Sequence, residues 1–208
     1  MELKIVDTKG KATSKSVTLS DEVFGIEPND HAIYMDVKHY LASRRQGTHK
    51  AKERSEIAGS TRKIKKQKGT GGARAGSVKS GTRVGGGRIF GPRPRNYSFK
   101  LNTKLKRLAR KSALSYKAQG ENIMVLEDFN FDTPKTKDFV ALMGNLKLND
   151  QKVLLVMGAK NDNVFLSSRN LQRAKVVTAD SLNTYDIMNA GKLVLAESSI
   201  EVIEKVLN

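Results

Sequence analysis

Apolar positions along this chain switch between two periods. Leu3, Ile5 and Val6 mark a first strand and Ser16-Val17-Thr18-Leu19 a second, with Ser20 placed to cap a helical turn at Asp21-Glu22-Val23-Phe24. Ile33, Val37 and Leu41 recur every four residues, which predicts a helix over 32–42 with those three side chains on one face. Leu101, Leu105, Leu108, Ser112 and Tyr116 then share one side of a helical stretch, while Lys104, Arg107 and Lys111 follow another. That is an amphipathic helix with a cationic wet face. Beyond Gly120 short apolar runs at 123–126, 153–157, 175–177 and 192–195 predict strands, alternating with helices near 136–146, 163–171, 182–189 and from Ser198 or Ser199 to Leu207. Alternation at this spacing places the chain in the α/β class, with a mainly parallel sheet flanked by helices on both faces in three layers.

One stretch carries neither period. Residues 41–100 hold 17 Lys or Arg against two acids, Glu53 and Glu56, together with 11 of the 17 glycines. About +15 of the formal net charge of +17 therefore sits in sixty residues. From 57 to 120 there is no Asp or Glu, and between 58 and 88 the only large aliphatic residues are Ile64, Val78 and Val84. A segment so poor in apolar surface cannot offset the entropy of ordering its backbone, so it is expected to need a partner of opposite charge. The expected organisation is a globular domain from 1–43 and 97–208 interrupted by an extended basic loop over 44–96. Folded back on itself, that loop reaches at most about 80 Å.

Composition narrows the classes further. The 38% hydrophobic content and mean hydropathy of −0.47 accompany no apolar run near the ~20 residues needed to cross a bilayer, so no membrane span is expected. The start, Met1-Glu2-Leu3-Lys4-Ile5-Val6-Asp7, lacks the pattern of a signal or transit peptide. There is no Cys, hence no disulfide and no thiolate ligand, which fits a reducing cytoplasm.

A doubly wound sheet invites an enzyme reading, and the candidate motifs do not support one. Gly158, at the end of the most apolar strand, stands without the other glycines of a dinucleotide loop and reads as a tight strand exit. Gly85-Gly86-Gly87-Arg88-Ile89-Phe90-Gly91 is followed by Pro92 and Arg93, where a nucleotide-phosphate loop requires Lys and then Ser or Thr. In Gly69-Thr70-Gly71-Gly72-Ala73-Arg74 the last position of the dinucleotide pattern is Arg74. His31, His39 and His49 lack the spacing of a metal pair, and Glu127-Asp128 and the carboxylates Glu197, Glu201 and Glu204 read as a strand-end turn and a solvated face. No cofactor, metal or catalytic residue is expected.

The basic segment reads better as a nucleic-acid contact. Arg62-Lys63-Ile64-Lys65-Lys66-Gln67-Lys68 alone reads equally as a targeting patch, but glycines spread among the cations let backbone amides approach phosphates closely. The candidate RNA-contacting residues are Arg44, Arg45, Gln46, Lys50, Lys52, Arg54, Arg62, Lys63, Lys65, Lys66, Gln67, Lys68, Arg74, Lys79, Arg83, Arg88, Arg93 and Arg95, with Lys104, Arg107 and Lys111 on the following helix. Phe90, Tyr97 and Phe99 interleave with cations at the distal end, where they serve either base stacking or packing of the loop base.

These residues also carry a resemblance. Arg45-Gln46-Gly47-Thr48, Gln67-Lys68-Gly69-Thr70-Gly71, Ala73-Arg74-Ala75-Gly76-Ser77, Gly85-Gly86-Gly87, Phe90-Gly91-Pro92, Pro94-Arg95, Arg107-Leu108-Ala109 and Ser112-Ala113-Leu114-Ser115 together resemble the bacterial form of the fourth universal large-subunit ribosomal protein family. The resemblance implies a structural protein of the large ribosomal subunit, bound to large-subunit rRNA and to neighbouring subunit proteins, that supports assembly. It further implies a loop whose tip, Gln67, Lys68, Gly69, Thr70 and Gly71, lines the narrow part of the nascent-peptide exit tunnel, beside the nascent peptide and near the macrolide site. Ile64-Lys65-Lys66 and Arg83-Val84 stand where relatives commonly carry Trp, and Gly72 replaces a usual arginine. With no Trp in the chain, charge takes more of the contact. An RNA-processing enzyme with a basic substrate-holding arm and a general chromatin-like or mRNA-binding protein are the competing readings.

Overall fold

The computed structural model describes residues 1–207 and divides into two compact units, Met1–Leu41 with Lys100–Asn208, and Ala42–Phe99. The first is an α/β unit around a six-stranded sheet. Its strands are β1 (Glu2–Val6), β2 (Ala12–Thr18), β3 (Ile123–Leu126), β4 (Val153–Met157), β5 (Ala174–Thr178) and β6 (Lys192–Ala196), in the order β2-β1-β3-β6-β4-β5. Only the β1–β2 hairpin is antiparallel; the other pairs are parallel. The helices are α1 (Asp21–Phe24), α2 (Asp30–Ser43), α3 (Thr103–Gln119), α4 (Thr136–Asn145), α5 (Asp162–Ser168), α6 (Thr184–Asn189) and α7 (Glu197–Leu207).

Side chains alternate across the sheet, as period two requires. Ile5, Ile123, Val125, Leu154, Val156, Leu193 and Leu195 face one way, meeting Val23 and Phe24 of α1, Ile33 of α2, Leu114 of α3, Ile187 of α6 and Ile200 and Ile203 of α7. Leu126, Val153, Leu155, Met157 and Val194 face the other way, against Phe139, Leu142 and Met143 of α4 and Val164 of α5. Because β4 is covered on both faces, all five of its residues are buried. The three-layer α/β architecture is the one the apolar periods predict.

Several local expectations are corrected. Ser20 does occupy the cap position of α1, but its side chain makes no cap bond; instead its N–H donates to Glu204 Oε1 at 3.0 Å, so Glu204 is not merely a solvated acid. Leu41 is exposed although Ile33 is buried and Val37 half-buried. On α3 the buried residues are Ala109, Ser112, Ala113, Leu114, Ser115 and Ala118, whereas Leu108 and Tyr116 remain exposed and Leu101 lies outside the helix. Small residues let α3 approach its neighbours closely, and the hydroxyls are satisfied locally: Ser112 Oγ donates to the Leu108 carbonyl at 2.8 Å and Ser115 Oγ to the Ile26 carbonyl at 2.5 Å. Tyr116 uses its polar end at the rim, donating to Asp30 Oδ1 at 2.5 Å, which raises its phenol pKa.

At the carboxyl end of β4, Gly158 supplies room. A Cβ added there would lie 2.3 Å from Ser198 Oγ and 2.9 Å from Ser198 Cβ. The start of α7 is held by Asp128, whose carboxylate accepts from the Ser198 N–H at 3.3 Å and from Ser198 Oγ at 2.8 Å. The start of α7 thus packs directly against the strand exit at Gly158.

Candidate nucleic-acid interface

From the end of α2 at Ser43 to the start of α3 at Thr103 there is no helix or strand. Two irregular legs run against each other instead, stitched by backbone hydrogen bonds. Arg95 N–H donates to the Gly47 carbonyl at 3.1 Å, Ala51 N–H to Pro92 at 3.0 Å, Arg88 N–H to Lys52 at 2.9 Å, and Ile64 N–H to Gly76 at 2.9 Å. Ser77 Oγ adds a bond to the Ser60 carbonyl at 3.3 Å. The last backbone stitch closes a turn over residues 65–75, and Gln67, Lys68, Gly69, Thr70 and Gly71 all lie exposed within it. Gly69 and Gly71 have φ of +81° and +63°, with nothing within 4 Å of a built Cβ.

The base of the segment is organised around Tyr97. The Arg45 guanidinium carbon lies 3.7 Å from its ring centroid and that of Arg95 4.5 Å, while His49 Nε2 and Tyr97 Oη are 2.6 Å apart. Gly47 fits here because its φ is +66° and any Cβ would meet the Arg95 carbonyl oxygen at 2.0 Å. Both acids of the segment are engaged. Glu53 Oε1 pairs with Arg93 at 2.6 Å, raising the guanidinium pKa further, and Glu56 pairs with Lys50. The Lys50 hydrogen bond, then the Glu53 N–H, holds the Glu56 carboxyl below its usual value.

Of the candidate contact residues, Arg44, Arg45, Gln46, Lys50, Lys52, Arg54, Arg62, Lys63, Lys65, Lys66, Gln67, Lys68, Arg74, Arg83, Arg88, Arg93 and Arg95 are exposed, and Lys79 is half-buried. On α3, Lys104 and Arg107 are exposed and Lys111 half-buried. Lys50 and Arg93 are joined to acids, Lys63 to Gln67, and Arg45 and Arg95 to a ring, so these five brace the segment as well as charging it. Sequence reasoning missed that bracing and the part His49 plays in it. Spacing offers no clue to partners 48 residues apart, although the aromatic-cation interleaving had marked the neighbourhood.

In chemical terms this surface offers many exposed guanidinium and ammonium donors on a glycine-rich backbone, with carboxylates only at Glu53 and Glu56, both neutralised. That is complementary to closely spaced phosphates and unsuited to general acid-base work. Among the described residues no three His, Asp or Glu side chains are grouped to hold a metal. No helix there is long and apolar enough to cross a membrane.

Comparison with known proteins agrees with this chemistry. The profile of the Ribosomal protein L4/L1 family matches residues 17–206. Over all 208 residues and the full length of both chains, this protein is 62% identical to the large ribosomal subunit protein uL4 of Christiangramia forsetii and 62% identical to that of Flavobacterium johnsoniae. It is 60% identical over 205 residues to the same protein of Parabacteroides distasonis, covering 99% of this chain and 98% of the relative.

Proposed function

Because this chain belongs to the Ribosomal protein L4/L1 family, we propose that segment 44–96 threads into large-subunit rRNA and thereby anchors the protein during subunit assembly. The protein is a structural, non-enzymatic component of the large ribosomal subunit. In the proposed division of labour, residues 1–43 and 97–208 supply a stable body and the basic segment supplies the contact. One observation carries this reading: the backbone-stitched segment is acid-free from residue 57 onward, and every one of its cations except Lys79 is exposed.

The phosphate contacts fall to the exposed cations of both legs, and Lys104, Arg107 and Lys111 of α3 are further phosphate contacts. The closed turn at 65–75 is narrow and glycine-rich, which suits a wall element in a confined channel; here it lines the nascent-peptide exit tunnel, with Gln67, Lys68, Gly69, Thr70 and Gly71 facing the passing peptide. Neighbouring large-subunit proteins are the remaining partners.

The test is titration of the purified protein with a transcribed large-subunit rRNA over a range of salt. Eight phosphate contacts predict a log-log slope of roughly −6 to −7, from ~0.7 to 0.9 per contact. Replacing Lys65, Lys66 and Lys68 by Ala is expected to flatten it by about 2 to 3. Salt-independent association would overturn the proposal, as would loss of binding to rRNA with binding to unrelated RNA retained.

A further inference from the structure

Phe90 combines two features that folding alone does not reward. Its side chain is fully exposed, and its backbone has φ +53°, in the left-handed region that a bulky residue enters only when its surroundings force it. Those surroundings are identifiable. The Arg88 N–H bond to Lys52 and the Ala51 N–H bond to Pro92 stitch the backbone to the opposite leg on both sides of Phe90. Gly91 sits so close to that leg that an added Cβ would be 2.6 Å from the Ala51 Cβ. Pro92 stiffens the exit, and the Arg93–Glu53 pair fixes the next side chain. This backbone arrangement turns the ring outward.

Beside it opens a cavity of about 930 Å³ lined by Phe90, Arg54, Arg88, Arg93 and Tyr97 among others. The ion pairs of this segment are Lys50–Glu56 and Arg93–Glu53, so Arg54 and Arg88 keep their charge for something else. We propose that Phe90 is a stacking seat for one unpaired base of the large-subunit rRNA, with Arg54 and Arg88 holding the phosphates on either side. This rests on the rRNA-binding reading above and adds to it the residue and the kind of nucleotide. A flat exposed ring accepts any base face, and flanking guanidinium groups match a chain that carries one phosphate per base. A protein pocket could cover the ring as well, but it would have to bring carboxylates to a segment with this excess of cations. Polyribonucleotide brings the charge with the base.

The experiment compares the full chain with its Phe90→Leu, Phe90→Gly and Phe90→Tyr variants for binding to a transcribed large-subunit rRNA, with nucleotide-resolution chemical probing. Stacking predicts that Leu and Gly each lower affinity roughly 5- to 100-fold while Tyr retains it. The salt slope is expected to stay unchanged, because no charge is removed, and the reactivity of one unpaired nucleotide should return to its protein-free level. Thermal unfolding of all variants is expected to match the parent, since the ring is not in a core. If Gly binds like the parent, the residue serves only backbone shape and the proposal is overturned. Unchanged affinity and footprint for Leu overturn it too, leaving the rRNA reading intact. So does a Leu variant that binds rRNA normally but fails to enter subunits, which would put the ring in a protein. Absence of salt-dependent binding by the parent chain would instead remove the rRNA reading on which the proposal stands.

Discussion

The two units reach definite shapes by different means. In the sheet unit every residue of β3, β4 and β6 except Met124 and Lys192 is buried, and these strands are fixed by what their side chains bury on each face. In 42–99, Ala75 is the one hydrophobic side chain buried among the described residues, and shape comes from cross-leg backbone bonds, two ion pairs and a ring between guanidinium groups. Exposed hydrogen bonds contribute only about 0.5–1.5 kcal/mol each, against ~1–2 kcal/mol of backbone entropy for every residue ordered. On the proposed reading the sheet unit is stable by itself, rRNA holds what the stitches of the segment outline, and charge that would be self-repelling in water becomes the binding surface.

The widest separation of the two units comes from removing one. Deleting 62–91 and joining the ends by a short flexible linker is expected to lower rRNA affinity by orders of magnitude. The sheet unit should still unfold cooperatively, within a few degrees of the parent. A deletion that loses cooperative thermal unfolding would show that the segment contributes to the core after all.

The converse damage belongs to the sheet. Phe139 of α4 is among the largest fully buried side chains. Phe139→Ala is expected to cost about 3–5 kcal/mol through lost burial and a residual cavity. For a chain of this length, at ~2–4 °C per kcal/mol, the midpoint should fall by roughly 6–20 °C. Well below that midpoint, rRNA affinity and its salt dependence should be those of the parent. An affinity that falls in step with stability would tie the two units together.

How much of this could be read from sequence follows the same division. The strands at 123–126 and 153–157 were legible to the residue, because burial on one or both faces leaves long apolar runs between turns. The buried side of α3 was misread, since the pattern of large side chains pointed to Leu108 and Tyr116 while Ala109, Ser112, Ala113 and Ser115 are what the fold buries. Periodicity weighs hydrophobic size, whereas close helix packing rewards small residues. In the segment, composition marked the run of cations, and the residues that the resemblance puts at the tip, 67–71, lie exposed within the turn at 65–75. The register of the legs could not be read, because it is written in single contacts such as Arg45 on Tyr97 and Glu53 with Arg93, 40 or more residues apart and without period.

Glycines give a finer contrast. Gly158→Ala would force a methyl against Ser198, and overpacking of this kind costs about 1–3 kcal/mol, visible as a lowered midpoint of unfolding. Gly69→Ala meets open space, and its only penalty is the left-handed φ of +81° at the tip. It should leave the midpoint untouched while altering the tip conformation, readable as a changed footprint on rRNA. Equal thermal effects of the two substitutions would contradict the assignment of core and contact to separate units.

The smallest effect is one of sign. Glu56 is exposed and its carboxyl is held below the usual 4.5, first by the Lys50 hydrogen bond and then by the Glu53 N–H. A depressed acid stabilises the folded arrangement at every pH above its ordinary value, and that contribution fades as pH falls through the lowered one. Lys117 in the sheet unit runs the other way. Burial pushes its ammonium below 10.5 even as its Nζ donates to the Ala190 carbonyl at 2.6 Å, so the charged form is disfavoured in the fold and stability rises as pH climbs toward 10.5. In the segment charge is favoured by its partner; in the sheet unit it is opposed by burial. Carboxyl-detected NMR titration should place the Glu56 midpoint under 4.5, and Glu56→Gln should loosen the exchange protection of the Glu53 amide at neutral pH without moving the thermal midpoint. A Glu56 midpoint at or above 4.5 would mean that the Lys50 brace does not form in solution, and the leg would then be held by its backbone stitches, the Arg93–Glu53 pair and the contacts of Arg45 and His49 on Tyr97.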